Sequence, residues 1–291
     1  CEDATLVKIA QTMVGRKIER VVHEAKEHNK SNEIAMTIKN LTVDMPGEAV
    51  KGIDLEIRKG EILGIGGLAG QGKIGIANGI MGLYRAEGEV YSGDTKLELN
   101  NPRKAIENKL AFVSEDRRGV GLLLDTSIEM NIAITSIQIK NRFLKSFLGI
   151  KAFNLKDDKK IRDCALKMIN DLDIRCTGPT QVVRRLSGGN QQKVCIARAL
   201  ILEPEILFVS EPTRGIDIGA KKIVLDLLVK LNKDIGMTIV MTSSELGELR
   251  SICDRIAIVY NGKLEGILSP TASDADFGLM MAGKYNSREV V

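Results

Sequence analysis

Apolar and polar residues begin to alternate regularly at residue 34. Ile34, Met36 and Ile38 share one side of an extended segment, and Ile53, Leu55 and Ile57 repeat the pattern after the turn-rich stretch "DMPGEAVKG". A period of two marks strands with one buried face, so these segments are predicted to form an antiparallel pair. Short apolar runs follow at Glu61-Ile62-Leu63-Gly64-Ile65, Ala111-Phe112-Val113, Ile206-Leu207-Phe208-Val209 and Ile239-Val240-Met241. Runs of this kind, bounded by polar or helical sequence, suit parallel strands covered on both faces. "RIAIVYNGKLEGIL" reads as a closing hairpin over Asn261-Gly262. From about Thr126 to Leu202 the period becomes helical, with amphipathic stretches such as "IRDCALKMINDL". The expected fold is α/β: a parallel-sheet core, an antiparallel β subdomain in front, and a helical insertion.

The ends of the chain change this picture little. "TLVKIAQTMVGRK" places Leu6, Ile9 or Ala10, Met13 and Val14 on one helical face, with Gly15 as its C-cap. A charged stretch over residues 19–33 reads as a linker, and residues 285–291 as a tail. Met281-Ala282-Gly283-Lys284 echoes Met13-Val14-Gly15-Arg16, so residues 1–18 are expected to be the tail of a preceding copy of the domain at 34–284.

Composition mainly excludes. No apolar run reaches the length of a membrane-spanning helix. The net charge of +4 is spread among acidic residues and only 3% of residues are aromatic, so a nucleic-acid surface is not expected. The five cysteines show no metal-ligand spacing. Both histidines, His23 and His28, lie in the linker, so residues 34–291 have no imidazole for acid–base chemistry.

The candidate chemistry starts at "GLAGQGKI", residues 67–74. Gly67, Gly72 and Lys73 fit the spacing G-x-x-x-x-G-K-[ST], between a strand-like and a helix-like segment. Such loops cradle phosphates with backbone N–H groups, and a Ser or Thr hydroxyl holds Mg²⁺. Here that last position is Ile74, which has no oxygen. A second anion-binding pattern opens "SGGNQQKVCIARAL", where Ser187-Gly188-Gly189 begins a helix with Val194, Ala197 and Ile201 on its apolar face. "PEILFVSEPTRGID" follows, an apolar strand ending at the carboxylate of Glu211.

These motifs, in this order, resemble an ATP-binding cassette domain. "LSGGNQQKV" and "EPTRGID" resemble the ATP-binding subunits of bacterial sugar importers of the ribose, galactose and xylose type, in which one polypeptide holds two cassettes. "SEDRRGVGLLLDTSIEMNIAI" is similar to the second of those cassettes. The resemblance implies the ABC ATPase fold with a P-loop core, ATP as ligand, and nucleotide contacts from Gly67, Gly70, Gly72, Lys73, Ile74 and Glu115. It places Glu211 at the general-base position. It also implies that Ser187, Gly188, Gly189, Asn190 and Asp217 are donated to the ATP of a partner cassette.

Several positions depart from the family pattern. The front turn lacks the adenine-stacking aromatic and offers Met45; Ser210 replaces an Asp; Glu115 replaces a Gln; and Ser243 or Ser244 stands where a His is expected. Phosphoryl transfer depends on positioning and on charge neutralisation by Mg²⁺, so this chain's own site is expected to be degenerate, with Mg²⁺ weak or absent and no certain metal ligand. The expected protein is the energy-coupling half of an importer ATPase, weak or inactive alone. Its expected partners are an N-terminal cassette in the same polypeptide, membrane permease subunits and, indirectly, a periplasmic binding protein, at the cytoplasmic face of the membrane. A non-catalytic nucleotide-responsive scaffold and a nucleoside importer remain open alternatives.

Overall fold

The computed structural model describes residues 33–145 and 156–285. The expected helix at residues 6–14, most of the charged linker and the tail beyond 285 lie outside the described residues.

Strands β1 (Ile34–Val43) and β2 (Val50–Arg58) pair antiparallel, and β1 also pairs with β4 (Ala86–Ser92), which carries the short β5 (Thr95–Lys96). This is the front sheet, ordered β2-β1-β4-β5. The second sheet runs β10-β9-β3-β8-β7-β6, built from β3 (Ile62–Gly66), β6 (Leu110–Val113), β7 (Ile206–Ser210), β8 (Thr238–Thr242), β9 (Arg255–Tyr260) and β10 (Lys263–Leu268). Its strands are parallel except β10, which returns antiparallel to β9 through the Asn261-Gly262 turn. Both turn residues have positive φ, 48° and 80°, as a two-residue hairpin turn requires.

The uninterrupted apolar strands follow from having two cores. In β7, Leu207 and Val209 face one core while Ile206 and Phe208 face the other; in β8, Ile239 and Met241 oppose Val240 in the same way. The first core is closed by α5 (Gly188–Leu200), α6 (Ile218–Ile235), α8 (Asp274–Met281) and part of α3 (Ile128–Lys140). The second lies between the central sheet, α1 (Lys73–Ile80) and the front sheet. Helices α2 (Pro102–Glu107), α4 (Asp158–Asp171) and α7 (Leu246–Ile252) complete the described α-helices. In α4 the amphipathic pattern resolves into buried Ile161 and Ala165 and an exposed Leu166.

One buried carboxylate ties the two sheets together. Glu61 is 1% exposed, accepts from the backbone N–H of Arg58 at the end of β2, and receives two bonds from the Arg255 guanidinium in β9, at 2.8 and 2.9 Å. The Glu61 carboxylate holds the Arg255 pKa above its ordinary value. Arg255 is partly exposed and also donates to the Glu56 carbonyl, so loss of Glu61 leaves the guanidinium weakened in partners and not stranded. We therefore expect Glu61→Ala to cost about 1–3 kcal/mol, the range for losing a hydrogen bond to a charged group. Urea unfolding checks it: an unchanged midpoint would mean that this pair does not hold the sheets together.

Candidate functional site

The phosphate-type loop connects β3 to α1, and its shape depends on glycine at two points. Gly67 has φ 146°, and a Cβ there would lie 2.4 Å from the Val259 carbonyl oxygen; Gly72 has φ 97°, and a Cβ would lie 2.5 Å from that of Ala49. The loop is thus wedged between β9 and the front turn. The closing hairpin pins it further. Gly262 N–H donates to the Gln71 carbonyl (2.8 Å), Asn261 N–H to Gln71 Oε1 (2.6 Å), and Lys51 N–H to the Gly262 carbonyl (2.7 Å).

The N–H groups at the start of α1 converge on a side chain that the sequence reading did not single out. Glu48 sits in the front turn. Its Oε1 accepts from Gly70 N–H (2.8 Å), and its Oε2 accepts from Gly72 N–H (2.8 Å) and Ile74 N–H (3.3 Å). Glu48 is only 9% exposed although its neighbours Gly47 and Ala49 are exposed. Five of the described α-helices donate a first-turn N–H to their own N-cap side chain: Asn101, Ser127, Asp157, Asp217 and Ser273. Helix α1 has no such cap at Gly72, and Glu48 takes that place from the front turn packed against it.

Lys73 is 0% exposed and points elsewhere. Its Nζ donates to the Leu68 carbonyl (3.2 Å) and lies 3.9 Å from Glu211 Oε1. Glu211 follows β7 in a left-handed conformation, φ 45°, with its N–H bonded to the Thr242 carbonyl. Ser244 Oγ donates to the same Glu211 oxygen at 2.6 Å. Lys73, Glu211 and Ser244, three positions predicted separately, therefore form one cluster. Glu115 is half-buried, and its described polar contact is with Ser114 Oγ at 3.4 Å. Ile74 is buried and brings only hydrocarbon; the Ser210 hydroxyl is buried without a partner. Met45 packs against the core beneath the front sheet. Among the described residues no cluster of three His, Cys, Asp or Glu side chains could hold a metal ion.

The second motif lies at the start of α5. Ser187 is exposed at the N-cap, and its hydroxyl makes no capping bond to the first turn. Instead Asn190 Nδ2 donates to Ser187 Oγ (3.0 Å), and Asn190 Oδ1 accepts from Arg175 N–H (2.9 Å). Gly189 is buried, and a Cβ there would lie 2.9 Å from Ala220 Cβ in α6, so its glycine also serves helix packing. Asp217 caps α6 through Ala220 N–H at 2.9 Å. The "SEDRRGVGL" segment forms a π-helical turn, Arg117–Gly121. Arg117 is buried there, with Nη1 3.4 Å from Gln192 Oε1, and burial pushes its pKa below the ordinary value. Val120 in the turn and Leu123 just beyond it are 62% and 44% exposed.

A family model for ABC transporters matches residues 50–214. The chain belongs to the ABC transporter family. Among similar curated proteins, the ribose import ATP-binding protein RbsA of Clostridium tetani is 37% identical over 269 residues, covering 92% of this chain and 50% of that protein. The nucleoside import ATP-binding protein NupA of Lactococcus lactis is 33% identical over 285 residues, covering 97% of this chain and 54% of its own length. The cassette thus spans about half the length of the curated relatives it matches. A dimeric bacterial ABC transporter cassette, MJ0796, superimposes with a TM-score of 0.65 at 27% identity, covering 82% of this chain and all of that one. A nucleotide-free cassette with a TM-score of 0.68 at 20% identity shares the ABC ATPase fold. No described helix of the cassette is long and apolar enough to cross a membrane.

The loop geometry orders two substitutions. Gly70→Ala meets only a backbone penalty at φ 78°, because its Cβ would sit 3.5 Å from the nearest atom; Gly72→Ala adds a backbone clash at 2.5 Å. Strain at such φ costs on the order of 1–3 kcal/mol. Gly72→Ala is expected to lose more stability than Gly70→Ala in chemical denaturation, and equal losses would contradict the close approach of Ala49.

Proposed function

We propose that this cassette is the ATP-binding, energy-coupling half of an ABC importer for a sugar. In this reading its own nucleotide site is degenerate, and its α5 N-terminus completes the ATP site of a second cassette. One contrast carries the reading: the start of α5 is exposed and uncapped at Ser187, while the cassette's own loop lacks a metal-binding hydroxyl at Ile74. Helix N-termini offer N–H donors and positive dipole ends to phosphate oxygens. Presented to ATP held by a partner, Ser187 and Gly188 would neutralise charge that develops on the phosphates, and Asn190 would hold Ser187 in place.

At the cassette's own loop the residues do not fit Mg²⁺. The hydroxyl position is filled by Ile74, and Ser210 stands at the end of β7 where the family has a carboxylate. Glu211 is spaced to act as a general base, but its carboxylate is engaged by Lys73 and Ser244. The sugar reading is supported by relatives named for ribose, xylose and galactose import; the Lactococcus relative supports nucleosides as a second reading. Relatives of twice the length support a second cassette in the same polypeptide. The exposed Val120 and Leu123 offer an apolar surface for a membrane permease, which would place the cassette peripherally at the cytoplasmic face. A periplasmic binding protein would act through the permease.

The test uses the full-length protein with its permease. Ser187→Asp should lower ATP hydrolysis at least roughly tenfold, since a carboxylate replaces a donor facing phosphate. It should not lower the melting temperature, because Asp is among the best N-caps and favours a helix N-terminus. Lys73→Met should reduce hydrolysis much less than the equivalent change in the other cassette. Equal losses from the two lysine changes would mean that both sites hydrolyse ATP. Unchanged hydrolysis with Ser187→Asp would favour a non-catalytic scaffold.

A further inference from the structure

We propose that the Glu48 carboxylate is an internal substitute for a nucleotide phosphate, and that it keeps this cassette's phosphate loop closed to ATP. The inference rests on reading residues 67–74 as a phosphate loop and says how that site is regulated. Three loop N–H groups, from Gly70, Gly72 and Ile74, end on the two Glu48 oxygens at 2.8, 2.8 and 3.3 Å. Successive N–H groups pointing into one concavity form an anion nest, and a carboxylate satisfies it as a phosphate would.

The occupant is held firmly. The Glu48 carbonyl lies where a Cβ on Gly75 would come within 2.2 Å, so the front turn packs directly onto α1. Neither Lys73 nor Glu211 is engaged by Glu48. The lysine keeps its own partners, the Leu68 carbonyl and the Glu211 carboxylate, so the Glu48 carboxylate fills the backbone part of the cradle and leaves the lysine in place. A phosphate entering the same nest would have to displace Glu48 and would meet its like charge on the way.

Two sets of measurements on the full-length protein test the proposal, each using ATP and inorganic pyrophosphate without Mg²⁺ to avoid the metal question. In the first, isothermal titration with the other cassette's loop lysine substituted isolates this loop. Glu48→Ala should bind both probes at least tenfold more tightly than the unsubstituted protein, and Glu48→Gln, which keeps the shape but loses the second acceptor, should also gain. Adding Lys73→Met to Glu48→Ala should remove the gain. Glu87→Ala, which deletes a carboxylate that is 70% exposed, should give none. In the second, thermal melting of Glu48→Ala should fall and be restored by pyrophosphate, which a merely structural glutamate would not show. Equal affinity with and without Glu48, a gain matched by Glu87→Ala, or a gain that survives loss of Lys73 would overturn the proposal. If Glu48→Ala does not fold, Glu48→Gln alone decides. Failure here leaves the Ser187 reading standing, because that reading is tested on hydrolysis at the other cassette.

Discussion

The first turn of a helix carries N–H groups with no acceptor of their own, and burying them unsatisfied is costly. Much of the described architecture around α1 meets that one requirement. The helix is buried at every residue, so water cannot serve as the acceptor. Glu48 supplies it, which requires the front turn to lie flat against the loop. That contact in turn requires glycine at Gly72 and Gly75, where the carbonyls of Ala49 and Glu48 leave no space for a Cβ. The Asn261-Gly262 hairpin then clamps the turn and the loop from the other side. The front sheet, the central sheet and the loop are thereby held as one unit.

The buried cation poses the same problem with the sign reversed. Lys73 has no solvent contact, and a desolvated ammonium needs acceptors. It finds the Leu68 carbonyl and the Glu211 carboxylate, while Ser244 donates to that same carboxylate. Glu211 holds this position from a left-handed backbone, in which a non-glycine residue is strained. Such strain persists only where surrounding contacts fix the residue, and the Thr242 carbonyl accepting its N–H is one of them.

The elements were legible in the sequence because they depend on local periodicity. The alternation at Ile34, Met36 and Ile38, the apolar runs of β7 and β8, and the hairpin at Asn261-Gly262 each carry their signal within a few residues. The loop glycines were legible for the same reason. Glu48 was not. A glutamate between glycine and alanine in a polar turn looks solvated, and only its partners 22 to 26 residues further on, at Gly70, Gly72 and Ile74, reveal its burial. Arg117 was missed in the same way: the charged "SEDRR" reads as surface, yet the π-helical turn carries this one guanidinium inward toward Gln192. The resemblance places Gly189 among the groups donated to a partner's ATP, and Gly189 also makes room for Ala220, which no local pattern could indicate.

The cassette contains two helix starts of similar chemistry with opposite arrangements. At α1 the N–H groups of Gly72 and Ile74 face inward and end on the chain's own carboxylate. At α5 the cap residue faces outward, and the hydroxyl that could have bonded the first turn is held instead by Asn190. Asn190 is fixed in turn by the Arg175 N–H, so the arrangement is preorganised. A Ser at an N-cap ordinarily contributes around 1 kcal/mol by capping its helix. Here that contribution is forgone, and the dipole end of α5 remains uncovered by its own side chain. An exposed positive end that is held in shape but not self-satisfied suits an anion brought from outside, whereas a buried end already bonded to a carboxylate does not. On the reading proposed above, this asymmetry separates a helix start that would receive a phosphate, at Ser187, from one that the chain itself closes, at Glu48.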